Sequence, residues 1–568
     1  MSVGNLGARP AGAQRFSSRL TGLAAAPGAW IAVFALLAAA ALSLPLRLPL
    51  GPNAWDTVIY LDAIQRIGAG QVPSIDFFAP VGPLGYYGAA LLDRLFPRAQ
   101  PMLLANWALL PVLLPVAWLL CAHIAARSRP LALALLLPFL LFASLPINLH
   151  GLYPVPGFDG YGHYNRHVAL LLYLLIAALL LVQGRSLLIG LVASLMLTLF
   201  LVKITGAVTG TLLVGYAILA GRLRLRDAMA AAALVLAALG VLDLATGLVR
   251  AYLADILALL GLNTGTLLPR FVTVASVKFN VVGPCLLLIG ALAFSAVREG
   301  PVLSLAGLRG LLASPLGWLV AALVALTFFE TQNTGSLEYI GLWPVLLPIL
   351  RDWHLRQEPL RPVVLVLTLA VALPSAVIFV ERSARAALGA AGQVALAVPE
   401  LGPLGRVSLK ADIAARAAGM LEHYAMQPAA YRDLVQRGLL PSYILYSEID
   451  YQAAWLLEVQ QGIAAIRAWE AASGRRLNGF LTLDFADPFN HLLDRTPPRL
   501  VPIGLDPGRS TPALEPGTLA ELARTDAVLV PKCPLTTARD ALREHFAEAL
   551  RGRSLVPLSP CWDMYLKG

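Results

Sequence analysis

Charged side chains are scarce in this chain. They make up 13% of its 568 residues, against roughly a quarter in an ordinary soluble domain. That deficit excludes a protein that is soluble along its whole length. Cysteine is scarcer still, at four residues, which excludes a disulfide-dense scaffold. Cys121 and Cys285 fall in apolar runs and read as small core residues. Cys533 and Cys561 each follow a short apolar strand in polar sequence, and an oxidising compartment would allow them to pair. Basic blocks with interleaved aromatics are absent. The net charge of +10 therefore does not indicate a nucleic-acid partner. No internal repeat is visible, which disfavours a transporter built on inverted repeats.

What the chain does have is apolar sequence, at 58% of residues with a mean hydropathy of +0.72. Up to about Val380 it forms blocks of roughly 17–25 residues, the length that crosses a bilayer as a helix. The expected fold is a polytopic α-helical membrane protein of about eleven transmembrane helices with a C-terminal soluble α/β domain. Spans are expected near 29–50, 102–125, 131–147, 167–183, 186–202, 205–220, 228–248, 281–297, 317–330, 339–351 and 363–381. The short turns at Gly184 and Lys203 leave open a partly re-entrant hairpin there. Residues 1–28 read as a cytoplasmic segment, with Arg9, Arg15 and Arg19 ahead of an uncleaved first span. The breaks at 126–130, 183–185, 221–227, 298–309 and 351–362 all carry arginine. The opposite breaks are richer in acids, aromatics and amides. By the positive-inside rule the arginine-bearing breaks are cytoplasmic. An odd number of spans then puts the tail, 382–568, on the periplasmic or extracellular face of a bacterial-type plasma membrane. The tail alternates strand and helix patterns, as in "NGFLTLDFADPFNHLL" and "DAVLVPKCP", and predicts a small α/β domain.

The first outward loop, 51–101, contains "WDTVIYLDAIQRIGAGQVPSIDFFAPVGPLGYY". Each of its three aspartates has an ordinary explanation. Asp62 and Arg66 are spaced i,i+4 and read as a surface ion pair. Asn53 reads as a helix cap, with Asp56 in the first turn where a carboxylate favours the helix dipole. Asp76 reads as a turn aspartate.

Taken together, the stretch resembles the first external loop of the C-type (GT-C) glycosyltransferases, a superfamily that includes protein mannosyltransferases and aminoarabinose transferase-like enzymes. Asp56 matches the leading acid, Tyr60 the aromatic, Gly70-Gln71-Val72-Pro73 with Asp76 the middle, and Pro80, Pro83 and Gly85 the end. It departs from the pattern at Thr57, where a second acid is common. The resemblance covers about 35 residues; beyond them it is one of architecture alone.

The resemblance implies an enzyme that takes a sugar from a polyprenyl-phosphate carrier and gives it to a glycan, lipid or protein acceptor on the outer face. Direct displacement at C1 needs one general base. Asp56 is the first candidate, and Asp76 is the runner-up or a partner that binds the acceptor or a metal. The leaving lipid phosphate needs cations. Lys203, alone in apolar sequence, and Arg270 are candidates, with snorkelling and nonspecific headgroup binding as the ordinary alternatives. In the second loop Asp159, Tyr161, His163, Tyr164, Asn165, Arg166 and His167 lie within nine residues. They suit sugar binding or an interfacial belt, and Arg166 should have a partner such as Asp159 or a phosphate. Gln332, Asn333, Glu338 and Tyr339 are further sugar-contact candidates. No spacing forms a metal signature, so dependence on a divalent ion stays open. The tail covers the active face or selects the acceptor, with Asp484, Asp487, His491 and Asp494 explained by a turn and a helix start. Rival readings are a polysaccharide polymerase or ligase, or a lipid-linked sugar transporter or flippase, for which Asp243 is the clearest mid-span charge.

Overall fold

A computed structural model describes residues 26–149, 157–262, 267–299, 305–331, 337, 339–440 and 448–568. Every expected span has a helix. Among the described residues, five helices are long and apolar enough to cross a membrane: His163–Leu181, Arg185–Val202, Leu225–Thr246, Phe279–Arg298 and Arg361–Ala390. The total rises to eight when each bent pair counts as one span, as with Pro101–Trp107 and Leu110–Ala125 (41°) or Gly307–Ala313 and Pro315–Glu330 (59°). Pro27–Ser43, Arg129–Ser144 and Ile204–Leu219 are shorter apolar helices. The chain is an integral membrane protein by these lengths and compositions.

Three boundaries differ from the sequence expectation. The first helix stops at Ser43 rather than near residue 50. Pro45 and Pro49 cannot continue a helix, and Leu48–Pro49 instead forms strand β1. The expected span at 339–351 is a 3₁₀ turn, Ile340–Leu342, followed by the 12-residue helix Trp343–His354. The segment 249–280, a loop by the expected spans, contains two helices, Leu248–Leu262 and Leu267–Val277. By length and composition they also pass as one broken span.

The helix His163–Leu181 is the centre of the array, with 83% of its window buried against 11% for Leu225–Thr246. Two of the arginine-bearing breaks lie at one end of the array. Arg185 bonds Asp227 at 2.8 Å, joining the breaks at 183–185 and 221–227, and His123 packs beside Gln183. At the other end the first loop, the start of His163–Leu181 and the turn at Lys203 come together beneath the tail.

The tail is a small α/β domain, as expected. Strands β4 (Phe480–Thr482), β5 (Ala527–Pro531), β6 (Ser554–Ser559) and β7 (Trp562–Leu566) form a sheet in the order β4-β5-β7-β6, in which only β4 and β5 run parallel. Cys533 and Cys561 are joined as a disulfide. Behind the sheet, Arg539 bridges Glu458 (2.8 Å) and Asp484 (2.7 Å) in a buried network. Burial pushes the Glu458 carboxyl up to about 7 against the pull of Arg539. A second, three-stranded sheet ties tail to membrane domain: β1 pairs parallel with β3 (Val407–Leu409), which pairs antiparallel with β2 (Val394–Ala395).

Candidate active site

The first loop becomes a helix, Asp56–Gly68, clamped between the spans and the tail. Its start differs in detail from the expected cap. Asn53 adopts a left-handed conformation (φ 52°) and its carbonyl, not its side chain, accepts the Asp56 N–H at 3.2 Å. That leaves the Asp56 carboxylate facing the second loop, where Oδ2 accepts the Gly162 N–H at 3.1 Å. Two glycines make this meeting geometrically allowed. A Cβ on Gly160 would sit 2.4 Å from the Asn53 carbonyl oxygen. Gly162 has φ +57°, where residues with a side chain are strained.

Asp62 and Arg66 pair as expected, at 3.0 Å, but the pair is buried rather than on the surface. The tail segment Asp494–Leu500 lies over it. Arg66 Nη1 donates to the Pro498 carbonyl at 2.7 Å, and Gln71 Nε2 to the Pro497 carbonyl at 2.7 Å. Gln65 reaches the Arg495 carbonyl at 2.8 Å. Asp76 belongs to the same strap. Its Oδ2 accepts the Val72 N–H at 2.8 Å, Oδ1 faces Arg499 at 3.3 Å, and its carbonyl accepts the Leu500 N–H. The turn reading of Asp76 therefore holds, and Asp76 lies outside the lining of the cavity that Asp56 faces. Asp487 is held by Phe489 N–H and Asn490. Burial beside Asp62 pushes its carboxyl up to about 7. Trp55 meets Tyr451 and Trp455 edge-on at 5.7 and 5.6 Å. Each such pair is worth about 0.5–1.5 kcal/mol beyond the area it buries.

The cavity has a volume of about 520 Å³. Three walls meet there. The loops supply Asp56, Tyr60, Tyr86, Tyr161, His163 and Tyr164. The spans and the pair of helices after residue 247 supply Lys203, Ile204, Tyr252, Ile256, Leu259, Leu260, Arg270 and Val274. The tail supplies Phe485, Gly504, Asp506, Arg509 and Ser510.

Burial pushes the Asp56 carboxyl up to about 7. The Gly162 N–H opposes this, Asp159 and Asp506 add to it, and Arg509 lowers it. Lys203 Nζ donates to Asn165 Oδ1 at 2.8 Å and sits 4.9 Å from the Tyr164 ring centroid. Glu330 lies within its electrostatic reach. His163 Nε2 is 3.2 Å from Thr57 Oγ1, and its ring stands edge-on to Tyr60 at 5.5 Å.

Thus Asp56, Tyr60, His163, Tyr164, Lys203 and Arg270 are brought together on one cavity. Asp159, Asn165 and Arg166 stand behind its wall. Asp159 Oδ1 accepts the Tyr161 N–H at 2.6 Å, and burial pushes its carboxyl up to about 6 although Arg166 opposes the shift. Arg166 Nη2 reaches the Asp159 carbonyl at 3.5 Å, which supplies the partner expected for it. Tyr339 lies away from the cavity, its hydroxyl 3.0 Å from Thr327 Oγ1. Gln332, Asn333 and Glu338 lie outside the described residues. Asp243 falls in the last turn of its helix, beside Arg250 at 3.4 Å, and not in mid-span. Among the described residues no three His, Cys, Asp or Glu side chains are grouped to hold a metal ion.

The sequence reading missed Asp506, Arg509 and Ser510. "LDPGRS" is legible as a turn, but nothing local says which wall it faces.

No family model matches the chain, and no curated protein is matched. In overall structure it is similar to ArnT from Cupriavidus metallidurans in the apo state, at 13% identity and a TM-score of 0.41, covering 95% of this chain and 98% of that one. The same protein bound to undecaprenyl phosphate gives 14%, 0.39, 95% and 98%. Archaeal oligosaccharyltransferase AglB from Archaeoglobus fulgidus, with an inhibitory peptide and a dolichol-phosphate, gives 11%, 0.35, 95% and 74%. At such identities and TM-scores they carry no part of the functional argument, which rests on the cavity.

Proposed function

We propose that this protein is a membrane glycosyltransferase that moves a sugar from a polyprenyl-phosphate carrier to an acceptor hydroxyl or amine at the outer membrane face. The observation that carries the reading is the cavity itself. Asp56, its carboxyl raised to about 7, lines it together with Asp506 and three cations, Lys203, Arg270 and Arg509, between apolar helices on one side and a polar domain on the other.

Each part answers a chemical need. Asp56 takes the acceptor's proton as the new bond to C1 forms, and a base with a pKa near the working pH serves this step best. The Gly162 N–H fixes the orientation of that carboxylate. Lys203 and Arg270 neutralise the charge that develops on the departing phosphate. Ile204, Ile256, Leu259 and Leu260 border them and give the carrier's first apolar units a surface to lie on. Tyr60, Tyr86 and Tyr164 offer aromatic faces and hydroxyls to the sugar. Asp76 serves as a positioning residue, holding the loop to the tail.

The test is sugar transfer in membranes from a panel of polyprenyl-phosphate sugars, comparing wild type with Asp56→Asn. A fall of about 10²–10⁴-fold at equal protein level supports the reading. Unchanged transfer removes Asp56 from the role. Binding of the lipid-linked sugar with no transfer to any acceptor favours the transporter reading.

A further inference from the structure

We infer that the turn Gly504–Ser510 of the tail is the acceptor-recognition element, and that it takes a neutral, hydroxyl-rich acceptor. The inference rests on the glycosyltransferase reading above and concerns a wall of the cavity that this reading leaves without a role.

The cavity walls are chemically divided. The membrane-side wall carries two cations among aliphatic side chains, as a lipid phosphate requires. The tail wall carries Asp506, Arg509 and Ser510. A general base must touch the acceptor's proton, so the acceptor lies beside Asp56. Asp506 and Arg509 both act electrostatically on that carboxylate. With the donor occupying the cationic wall, the open approach to Asp56 is along the tail.

The turn is built to hold its shape. The Asp506 N–H donates to Ser510 Oγ at 3.1 Å, and Ser510 Oγ donates to the Gly504 carbonyl. Asp506 Oδ2 accepts from Arg509 Nη1 at 3.2 Å. Asp506 is 6% exposed, and its Oδ1 has no hydrogen-bond partner among the described residues. A buried carboxylate oxygen without a donor is costly, and a turn of the Asp506 side chain toward the cavity would let an acceptor hydroxyl supply one. Gly504, at φ +70°, seats the turn on the first-loop helix: a Cβ there would lie 3.1 Å from Ile59 Cδ1, one helical turn beyond Asp56.

Charge sets the class of ligand. Asp506 and Arg509 cancel each other, so the turn offers one acceptor and one donor site without net charge. With the donor's phosphodiester bound, Lys203, Arg270 and Arg509 balance Asp56, Asp506 and the phosphate, so an acceptor charge of either sign would be left uncompensated. A neutral polyol satisfies both, donating to Asp506 and accepting from Arg509 through a hydroxyl next to the reacting one.

The experiment uses the full-length protein in lipid nanodiscs with radiolabelled polyprenyl-phosphate sugars. Acceptors are a methyl hexoside, the matching uronate and the matching amino-sugar glycoside. Transfer to acceptor and transfer to water are measured together. For Asp506→Asn and Arg509→Gln, the acceptor KM should rise about tenfold or more, by more than kcat falls, and products should shift from acceptor toward water. Arg509→Lys should recover part of the loss, and Asp506→Asn should narrow the preference for the neutral acceptor over the uronate. An unchanged acceptor KM and unchanged partition in both variants would overturn the inference, while loss of both products in Asp56→Asn would leave the glycosyltransferase reading standing. A wild-type protein that neither transfers nor hydrolyses any donor would overturn both.

Discussion

The carboxylate of Asp56 and the backbone N–H of Gly162 meet at 3.1 Å, although 106 residues separate them. One comes from the first loop and the other from the second, so the hydrogen bond fixes the two loops in register around the cavity. It also holds one carboxylate oxygen and leaves the other for a substrate proton.

The pH dependence follows from the surroundings of Asp56. In the proposed role Asp56 works when deprotonated, and burial raises its pKa to about 7. Transfer should therefore rise about tenfold per pH unit below 7 and level off above it. Of the groups facing Asp56, Asp159 and Asp506 raise its pKa, while the Gly162 N–H and Arg509 lower it. Asp506→Asn should move the acid limb to lower pH and Arg509→Gln should move it to higher pH. A pH–rate profile of kcat/KM for each variant checks both directions.

In the proposed function Lys203, together with Arg270, holds the carrier's phosphate. Replacing it with Gln should weaken binding of polyprenyl phosphate alone by about tenfold or more, since charge-assisted bonds contribute about 1.5–3 kcal/mol. Its contact with Asn165 through Nζ is lost as well, so Asn165→Ala should weaken binding less than Lys203→Gln does. Titration of the lipid into protein in nanodiscs measures both.

The strap over the first loop should show in stability. Arg66→Ala leaves the Asp62 carboxylate buried and unpaired, a cost of about 3–5 kcal/mol. Replacing both residues together, Asp62→Leu with Arg66→Met, should recover much of it. Trp55→Ala removes a buried ring packed on two tail aromatics, at about 3–5 kcal/mol. Thermal unfolding in detergent, followed by tryptophan fluorescence, gives the order.

Loss of the disulfide should loosen the tail. Cys533→Ala with Cys561→Ala should cost about 2–4 kcal/mol. A mobility difference between reduced and non-reduced protein on a gel would establish the pairing first.

Much of the architecture was legible because apolar length and arginine placement are local signals. The breaks at 183–185 and 221–227 do share one end of the helix array, as their arginines suggested. Lys203 stands out because charge in apolar sequence is conspicuous, Arg270 as a cation in an outward loop, and Asp56 only because the stretch around it resembles a known family's first external loop. Asp76 and the Asp62–Arg66 pair were harder. Local sequence reads Asp76 as a turn residue with a catalytic alternative, and Asp62–Arg66 as a surface pair; that Asp76 lies outside the cavity lining and that the pair is buried depend on Asp494–Leu500, more than four hundred residues away in the chain. Asp506 and Arg509 were illegible for the same reason: a turn sequence fixes a backbone shape, while the surface it faces is set by packing of distant parts. The end of the first helix was readable in principle, since Pro45 and Pro49 mark it.

The parallel pairing of Leu48 with Val407 has a consequence for biogenesis. The ribosome releases the first strand long before the residues that complete its sheet exist. Helices can insert one after another as they emerge, but this strand, and the loop helix that follows it, must wait for residues about 360 positions later in the chain. A nascent chain stopped anywhere before the tail would thus be embedded in the membrane with its cavity unfinished. The order of synthesis delays completion of the cavity until the tail is made.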